Sequence, residues 1–342
     1  MQKVAEKVIA KPMALTFLAH FALSNVILSA YKLGIFKPFF EDPDNGTLNP
    51  KEFIEKNKFN ERMVNGLVEY LTLREVFVNE GNGNYSLGEL GVHLIKEKWI
   101  SYVLFYVGGY GNILSNSDKL GSGEYTYGKD IIRDIDWVAK GTELMSLTRH
   151  HQSYANVLEV ANRQFSNNVL DIGCGTGNFL MKLAKAANCK LGVGIDISAE
   201  ACSLARTNVL KSPIKISIEE GDFVSNTKPL IDKYGNFDVV TALMIIHEYL
   251  FYGDEKVIEV LRSISQLLSP NGTFILLDKA NDVLPEAPLY FTEYKLVHDL
   301  THQDLCSRSK WHQLISDAGM EIVNERLLPR HTGTILIECR RK

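Results

Sequence analysis

The chain has 342 residues, 45% of them hydrophobic and 23% charged, with a formal charge of -4. That length exceeds what one core usually organises and implies two domains with room for a buried site. The composition excludes a disordered, collagen-like or membrane-embedded protein. The acidic balance argues against nucleic acid and anionic membranes as partners, because both attract clustered Lys and Arg, and leaves a small molecule.

Five cysteines (Cys174, Cys189, Cys202, Cys306 and Cys339) form no C-x-x-C pair. Neither a disulfide framework nor a zinc finger is expected, and a reducing cytoplasm is implied. Near the N-terminus an apolar stretch, Leu15 to Phe36, is interrupted by His20, Ser24, Asn25 and Lys32. Read as a buried helix, it overlaps a segment, Phe17 to Phe40, whose apolar residues recur at helical spacing on more than one side, which predicts packing between other elements of a kind that often builds dimers.

Leu48-Asn49-Pro50 then starts a short helix, and Asn60 can cap a second one running through Met63, Leu67 and Leu71. Asn79 to Asn84 reads N-E-G-N-G-N between Val76-Phe77-Val78 and Tyr85-Ser86-Leu87, the turn chemistry of a hairpin. Helix, helix and hairpin predict a winged-helix domain over residues 1–100. Its second helix sets Glu61 and Glu69 against Lys58, Arg62 and Arg74, so it offers no basic face to DNA.

A helical connector with glycine-rich breaks is predicted over 101–160 and is expected to contribute to the substrate pocket. From 161 to 342 short apolar runs alternate with amphipathic helices: Asn168–Ile172, Leu191–Ile195, Ile214–Ile218, Phe237–Met244 and Thr273–Leu277. That alternation predicts an α/β, Rossmann-like doubly wound sheet covered on both faces. Glu321–Arg326 and Thr334–Arg340 read as a closing pair of strands with no crossover helix between them.

The most informative segment runs from Val169 to Phe179 and contains Asp171-Ile172-Gly173-Cys174-Gly175-Thr176-Gly177. Glycines at a strand-to-helix bend permit positive φ and let a ligand lie against the backbone, with the free N–H groups of the helix start beside it. The dinucleotide fingerprint is spaced G-x-G-x-x-G, whereas this bend is D-x-G-x-G-x-G. An anionic Asp171 suits the cationic groups of S-adenosylmethionine and would repel a pyrophosphate. Asp196, about 20 residues on, falls where a carboxylate commonly holds ribose hydroxyls. Asp222 and Phe223, after the third strand, are placed to accept from the adenine amino group and to stack on its ring.

With these residues the chain resembles the class I S-adenosylmethionine-dependent methyltransferases. Over its whole length it looks like the small-molecule enzymes that join this fold to an N-terminal winged-helix dimerisation domain, as plant-type O-methyltransferases do. The resemblance implies a homodimer and a sheet closed by an antiparallel seventh strand.

The fourth strand delivers His247-Glu248-Tyr249 to the same edge. In plant-type O-methyltransferases the matching segment is H-D-W, and its histidine acts as general base towards the accepting hydroxyl. The stretch Leu296 to Leu305 departs from that family and resembles metal-dependent C-methyltransferases that act on the β-carbon of α-keto acids such as phenylpyruvate, indolepyruvate or 2-ketoarginine. Two histidines, His247 and His298, would hold a metal such as iron or zinc and leave positions open for a bidentate substrate. His302, four residues beyond His298, is a second choice. Tyr127 to Asp134 resembles the part of those enzymes that supplies an arginine for the substrate carboxylate, which selects Arg133. Glu248 would take the proton or orient a ligand. Adjacent His150 and His151 point different ways and are read as structural.

Four readings follow: α-keto acid C-methyltransferase in an amino-acid-derived natural product pathway, O-methyltransferase, nicotinamide-dependent dehydrogenase, and a ligand-sensing winged-helix regulator. The glycine spacing and Asp171 disfavour the dehydrogenase, and the unbasic second helix disfavours the regulator.

Overall fold

The computed structural model describes residues 13–146, 153–164, 166–282, 290–328 and 333–342. His150 and His151 lie outside the described residues. The chain divides into two compact units, one within Met1–Ser115 and Arg133–His150, the other within Asn116–Ile132 and His151–Lys342. Residues of the 101–160 stretch contribute to both.

In the first unit the helix Met13–Leu33 precedes the helices Pro50–Asn57 and Glu61–Leu73. Asn49 and Asn60 cap the latter two, their side chains accepting from the backbone N–H of Glu52 and of Met63, as short amide side chains do at helix starts. Strands β1 (Phe77–Gly81) and β2 (Asn84–Leu87) form an antiparallel hairpin around Asn82-Gly83, whose positive φ values of 52° and 78° the N-G turn supplies. Their core contains Ile27, Phe36, Phe39, Val68, Leu71 and Phe77.

The expectation of a wholly buried first helix needs correction. Ile27, Leu28 and Ala30 are buried, but Leu15, Phe17, Leu18 and Phe21 are between 53% and 72% exposed. Apolar spacing on several sides marks a helix needing cover, and only its second half finds that cover within this unit. Further along, Val103–Gly109 forms a π-helix.

In the second unit seven strands make one sheet: β3 (Asn168–Ile172), β4 (Leu191–Asp196), β5 (Lys215–Glu220), β6 (Phe237–Leu243), β7 (Leu268–Lys279), β8 (Met320–Leu327) and β9 (Thr334–Arg341). Their order is β5-β4-β3-β6-β7-β9-β8. The first five are parallel, and β9 runs antiparallel to both neighbours. The α/β sheet predicted from the apolar runs is therefore present, and it has the antiparallel closing strand that the resemblance implies. The strands β3 and β6 are nearly continuous buried runs because core clusters lie on both faces. β3, in the middle, reverses the direction of strand order. In such sheets the crevice at the carboxyl ends beside that reversal is where ligands bind. Among the described residues no helix is long and apolar enough to cross a membrane.

Candidate active site

Four neighbouring parallel strands end in the residues that the sequence singles out. β3 leads into the triple-glycine bend, β4 ends in Asp196, β5 is followed by Gly221-Asp222-Phe223, and β6 is followed by a 3-10 helix, Ile246–Tyr252, that carries His247 and Glu248. The bend itself is held by backbone hydrogen bonds from Gly173 and Cys174 to the Ile195 carbonyl at 2.8 and 3.2 Å. Gly173 has φ 68°, and a Cβ there would come within 1.7 Å of Ile245 Cδ1. Gly175 has φ 51°, and a Cβ there would meet open space. Only glycine relaxes into the first position, and the second leaves bare backbone beside a space a ligand can fill. Gly177, φ 76°, caps the helix Asn178–Ala186.

Asp171 is 3% exposed, and its carboxylate accepts from the Thr241 hydroxyl at 2.6 Å. Burial, with nearby Asp196 adding to it, pushes its pKa up to about 7 against that hydrogen bond. A buried carboxyl group of this kind gains most from an arriving cation. Asp196 takes the Gly175 N–H on one oxygen at 2.8 Å and the Ser198 N–H on the other at 2.9 Å. Its carboxylate thus ties the bend to the end of β4. Asp222 accepts from the Ser225 hydroxyl at 2.8 Å and the Ser225 N–H at 3.1 Å. Phe223 is 4% exposed and lies in the apolar core, edge-on to Tyr249 with ring centres 6.3 Å apart.

His247 and His298 come together. Each is 2% exposed, and their ring centres are 5.3 Å apart at 50°. His247 Nδ1 lies 2.8 Å from Asp278 Oδ1, and the His247 N–H donates to Asp278 Oδ2 at 3.1 Å. His298, in the helix Tyr290–Leu300, has Nδ1 2.7 Å from the Tyr294 carbonyl. A carboxylate and a carbonyl are acceptors, so each Nδ1 carries a proton, and in the neutral ring the lone pair falls on Nε2. That tautomer serves equally for a general base and for a metal ligand. Among the described residues no group of three or more His, Cys, Asp or Glu side chains is placed to hold a metal ion.

Glu248 is exposed. His302, also exposed, has φ 53° and lies 5.0 Å from the Phe251 ring and 6.2 Å from the Tyr127 ring. Arg133 belongs to the other unit, where its Nη1 stands 3.5 Å from the Tyr110 hydroxyl beside the π-helix.

Sequence reasoning missed Thr241, Asp278 and Tyr294. One signal pointed to Asp278: it is a charged residue closing the apolar run Phe274 to Leu277, at the same sheet edge as the other site carboxylates.

Comparison with known proteins agrees with this geometry. Residues 169–272 match the family model described as a methyltransferase domain. An uncharacterised methyltransferase of Bacillus mycoides (strain KBAB4) is 34% identical over 181 residues, covering 51% of this chain and 79% of that protein. The indolepyruvate C-methyltransferase of Streptomyces griseus is 24% identical over 260 residues, 75% of this chain and 74% of that one. The crystal structure of a putative O-methyltransferase from Nostoc punctiforme superposes with a TM-score of 0.68 at 18% identity, covering 97% of this chain and 100% of that one. The chain belongs to the class I S-adenosylmethionine-dependent methyltransferases. It is an enzyme, and S-adenosylmethionine is its methyl donor.

Proposed function

We propose that the chain methylates the β-carbon of an α-keto acid with the help of a metal ion such as iron or zinc, in a natural product pathway that starts from an amino acid. The carrying observation is the pair of buried imidazoles, 5.3 Å apart between ring centres, each with Nδ1 at hydrogen-bond distance from an acceptor. The similarity to an indolepyruvate C-methyltransferase supports it.

In this reading Asp171, Gly173, Gly175, Gly177, Asp196, Asp222 and Phe223 form the cofactor site. Asp171 faces the cationic end, the glycines admit the ligand to the backbone, Asp196 serves the ribose, and Asp222 with Phe223 serves the adenine. Bound there, S-adenosylmethionine supplies an electrophilic methyl group. His247 and His298 hold the metal, which supplies a Lewis acid for the keto oxygen and carboxylate. Arg133 pairs with the substrate carboxylate and so selects which face of the β-carbon is presented. Glu248 takes the proton that the β-carbon loses on enolisation, or orients a ligand; the enolate carbon then bonds to the methyl group as the bond to sulfur breaks and S-adenosylhomocysteine leaves. The rings of Tyr127, Phe251 and His302 are suited to a flat aryl or indolyl side chain.

The N-terminal helices and hairpin are read as a winged-helix dimerisation domain. The exposed Phe17 and Phe21 on the first helix support contact with a second copy of the chain. A second reading, O-methylation of a phenolic hydroxyl, is favoured by one observation. The His247–Asp278 pair makes a general base on its own, with no need of metal.

Elemental analysis of the purified protein, followed by assays with phenylpyruvate and with a catechol before and after chelation, tests the two readings. C-methylation of the keto acid that is lost on chelation and restored by metal is the expected result. Metal-independent methylation of the catechol alone would overturn the first reading in favour of the second.

A further inference from the structure

Lys279 closes β7, one residue beyond the carboxylate that holds His247, and it is only 8% exposed. A charge buried to this degree is costly unless its partners are well placed, and burial draws its pKa down to about 8 against the opposing pull of Asp278. Its ammonium donates to the Thr334 hydroxyl at 2.9 Å and stands 5.1 Å from the centre of the Tyr294 ring. Thr334 is the register partner of Lys279 on β9, so that bond also pins the end of β7.

Tyr294 in turn supports His298 in two ways. Its carbonyl receives the Nδ1 proton at 2.7 Å, and its ring lies 3.8 Å from the imidazole at 31°. A cation on one face of a phenol ring and an imidazole packed against that ring leave the tyrosine little rotational freedom. The preceding residue performs the matching task for the other histidine, because Asp278 contacts both the His247 ring and its backbone N–H.

We propose that Lys279 is a positioning residue: it fixes the Tyr294 ring and, through it, the ring plane of His298. The dipeptide Asp278-Lys279 then sets both histidines from a single strand end. The inference rests on the reading of the histidine pair as the reacting centre.

Lys279→Met keeps an unbranched chain of nearly the same length and removes its charge. Support residues behind a site histidine typically contribute 10–100-fold, so kcat should fall by roughly that factor while S-adenosylmethionine affinity, measured by calorimetry, stays within about twofold. Lys279→Arg restores a cation and should recover most of the rate. NMR of the His298 ring should report one sharp ring environment in the wild type and a shifted or broadened one in Lys279→Met, because the Tyr294 ring packed against it is released. Tyr294→Leu, which removes the mediating ring and leaves Lys279 on Thr334, should give the same loss, and the double variant no further loss. A normal kcat or an unchanged His298 ring signal in Lys279→Met overturns the inference. So does additive loss in the double variant. His298→Ala, assayed alongside, separates the two possible failures. Full rate there refutes the reacting-centre reading and this inference with it, whereas an inactive His298→Ala beside a normal Lys279→Met refutes this inference alone.

Discussion

The triple-glycine bend and the histidine pair follow adjacent strands of one sheet, yet they are built in opposite ways. The bend is a run of consecutive residues whose shape comes from backbone: positive φ at Gly173, Gly175 and Gly177, and N–H bonds to the Ile195 carbonyl and the Asp196 carboxylate. The pair is assembled from three places in the chain. His247 comes from the helix after β6, Asp278 from the end of β7, and His298 with Tyr294 from the helix after β7. Backbone geometry encoded by adjacent glycines resists drift elsewhere in the molecule. Side chains gathered across 50 residues depend on the packing of every element between them.

The comparison breaks most sharply if the two parts are damaged separately. His247→Ala removes a group whose general-base or ligand role is worth about 10²–10⁴-fold. Its kcat should fall by that factor while calorimetry shows unchanged uptake of S-adenosylmethionine. Gly173→Ala should do the reverse. Forcing a Cβ against Ile245 at a φ of 68° costs on the order of 1–3 kcal/mol, so cofactor affinity should fall by about 10–100-fold. Should His247→Ala also abolish cofactor binding, the two parts are one cooperative unit and the contrast is lost.

That contrast also explains what was legible in the sequence. The bend could be read because all its determinants lie between Asp171 and Gly177, and the strands around it because buried parallel strands are uninterrupted apolar runs. His247 could be placed because it follows such a run. Asp278 offered only its place at the end of an apolar run and Lys279 offered nothing, because an acidic and a basic residue at the end of a strand ordinarily face water. In the fold both are buried, and Lys279 meets Thr334 and Tyr294 from later in the chain. The first helix misled for a related reason. Its apolar faces announce that cover is required without saying where the cover comes from, and Phe17 and Phe21 find none in their own unit.

A smaller effect sharpens the electrostatic side of the bend. Burial, joined by the charge of Asp196, raises the Asp171 pKa to about 7, so in the cofactor-free protein this carboxyl group is largely protonated below neutrality. Binding a cation favours the ionised form and must then expel a proton. Affinity for S-adenosylmethionine should weaken by up to about tenfold per pH unit below 7 and level off above it. Calorimetry at pH 6 in two buffers of different ionisation enthalpy should detect the released proton, and Asp171→Asn should abolish both effects. The same shift acts on folding with the opposite trend. A carboxyl group whose folded pKa exceeds its unfolded value of 3.8 contributes stability at low pH that is lost as pH rises towards 7. Thermal unfolding of the cofactor-free protein should show this slope in the wild type and not in Asp171→Asn. A cofactor affinity that is flat from pH 5 to 8 would remove Asp171 from the binding site.

The least effect is expected where the histidine pair gives way to surface. His247 and His298 touch at 5.3 Å between ring centres, and four residues further along each segment Phe251 and His302 touch again at 5.0 Å. The two segments thus run side by side from a buried contact to an exposed one, since Phe251 is 49% exposed. A substrate held at the inner contact would extend its side chain towards the outer one. An aromatic contact contributes about 0.5–1.5 kcal/mol beyond area burial, so Phe251→Ala should raise KM for an aryl keto acid by roughly 2–10-fold. KM for a short alkyl keto acid should not change, and kcat should be preserved for both. Steady-state assays with phenylpyruvate and 2-oxobutyrate make that comparison. An equal rise in KM for both acids would mean that Phe251 supports the fold of the 3-10 helix and takes no part in recognising the side chain.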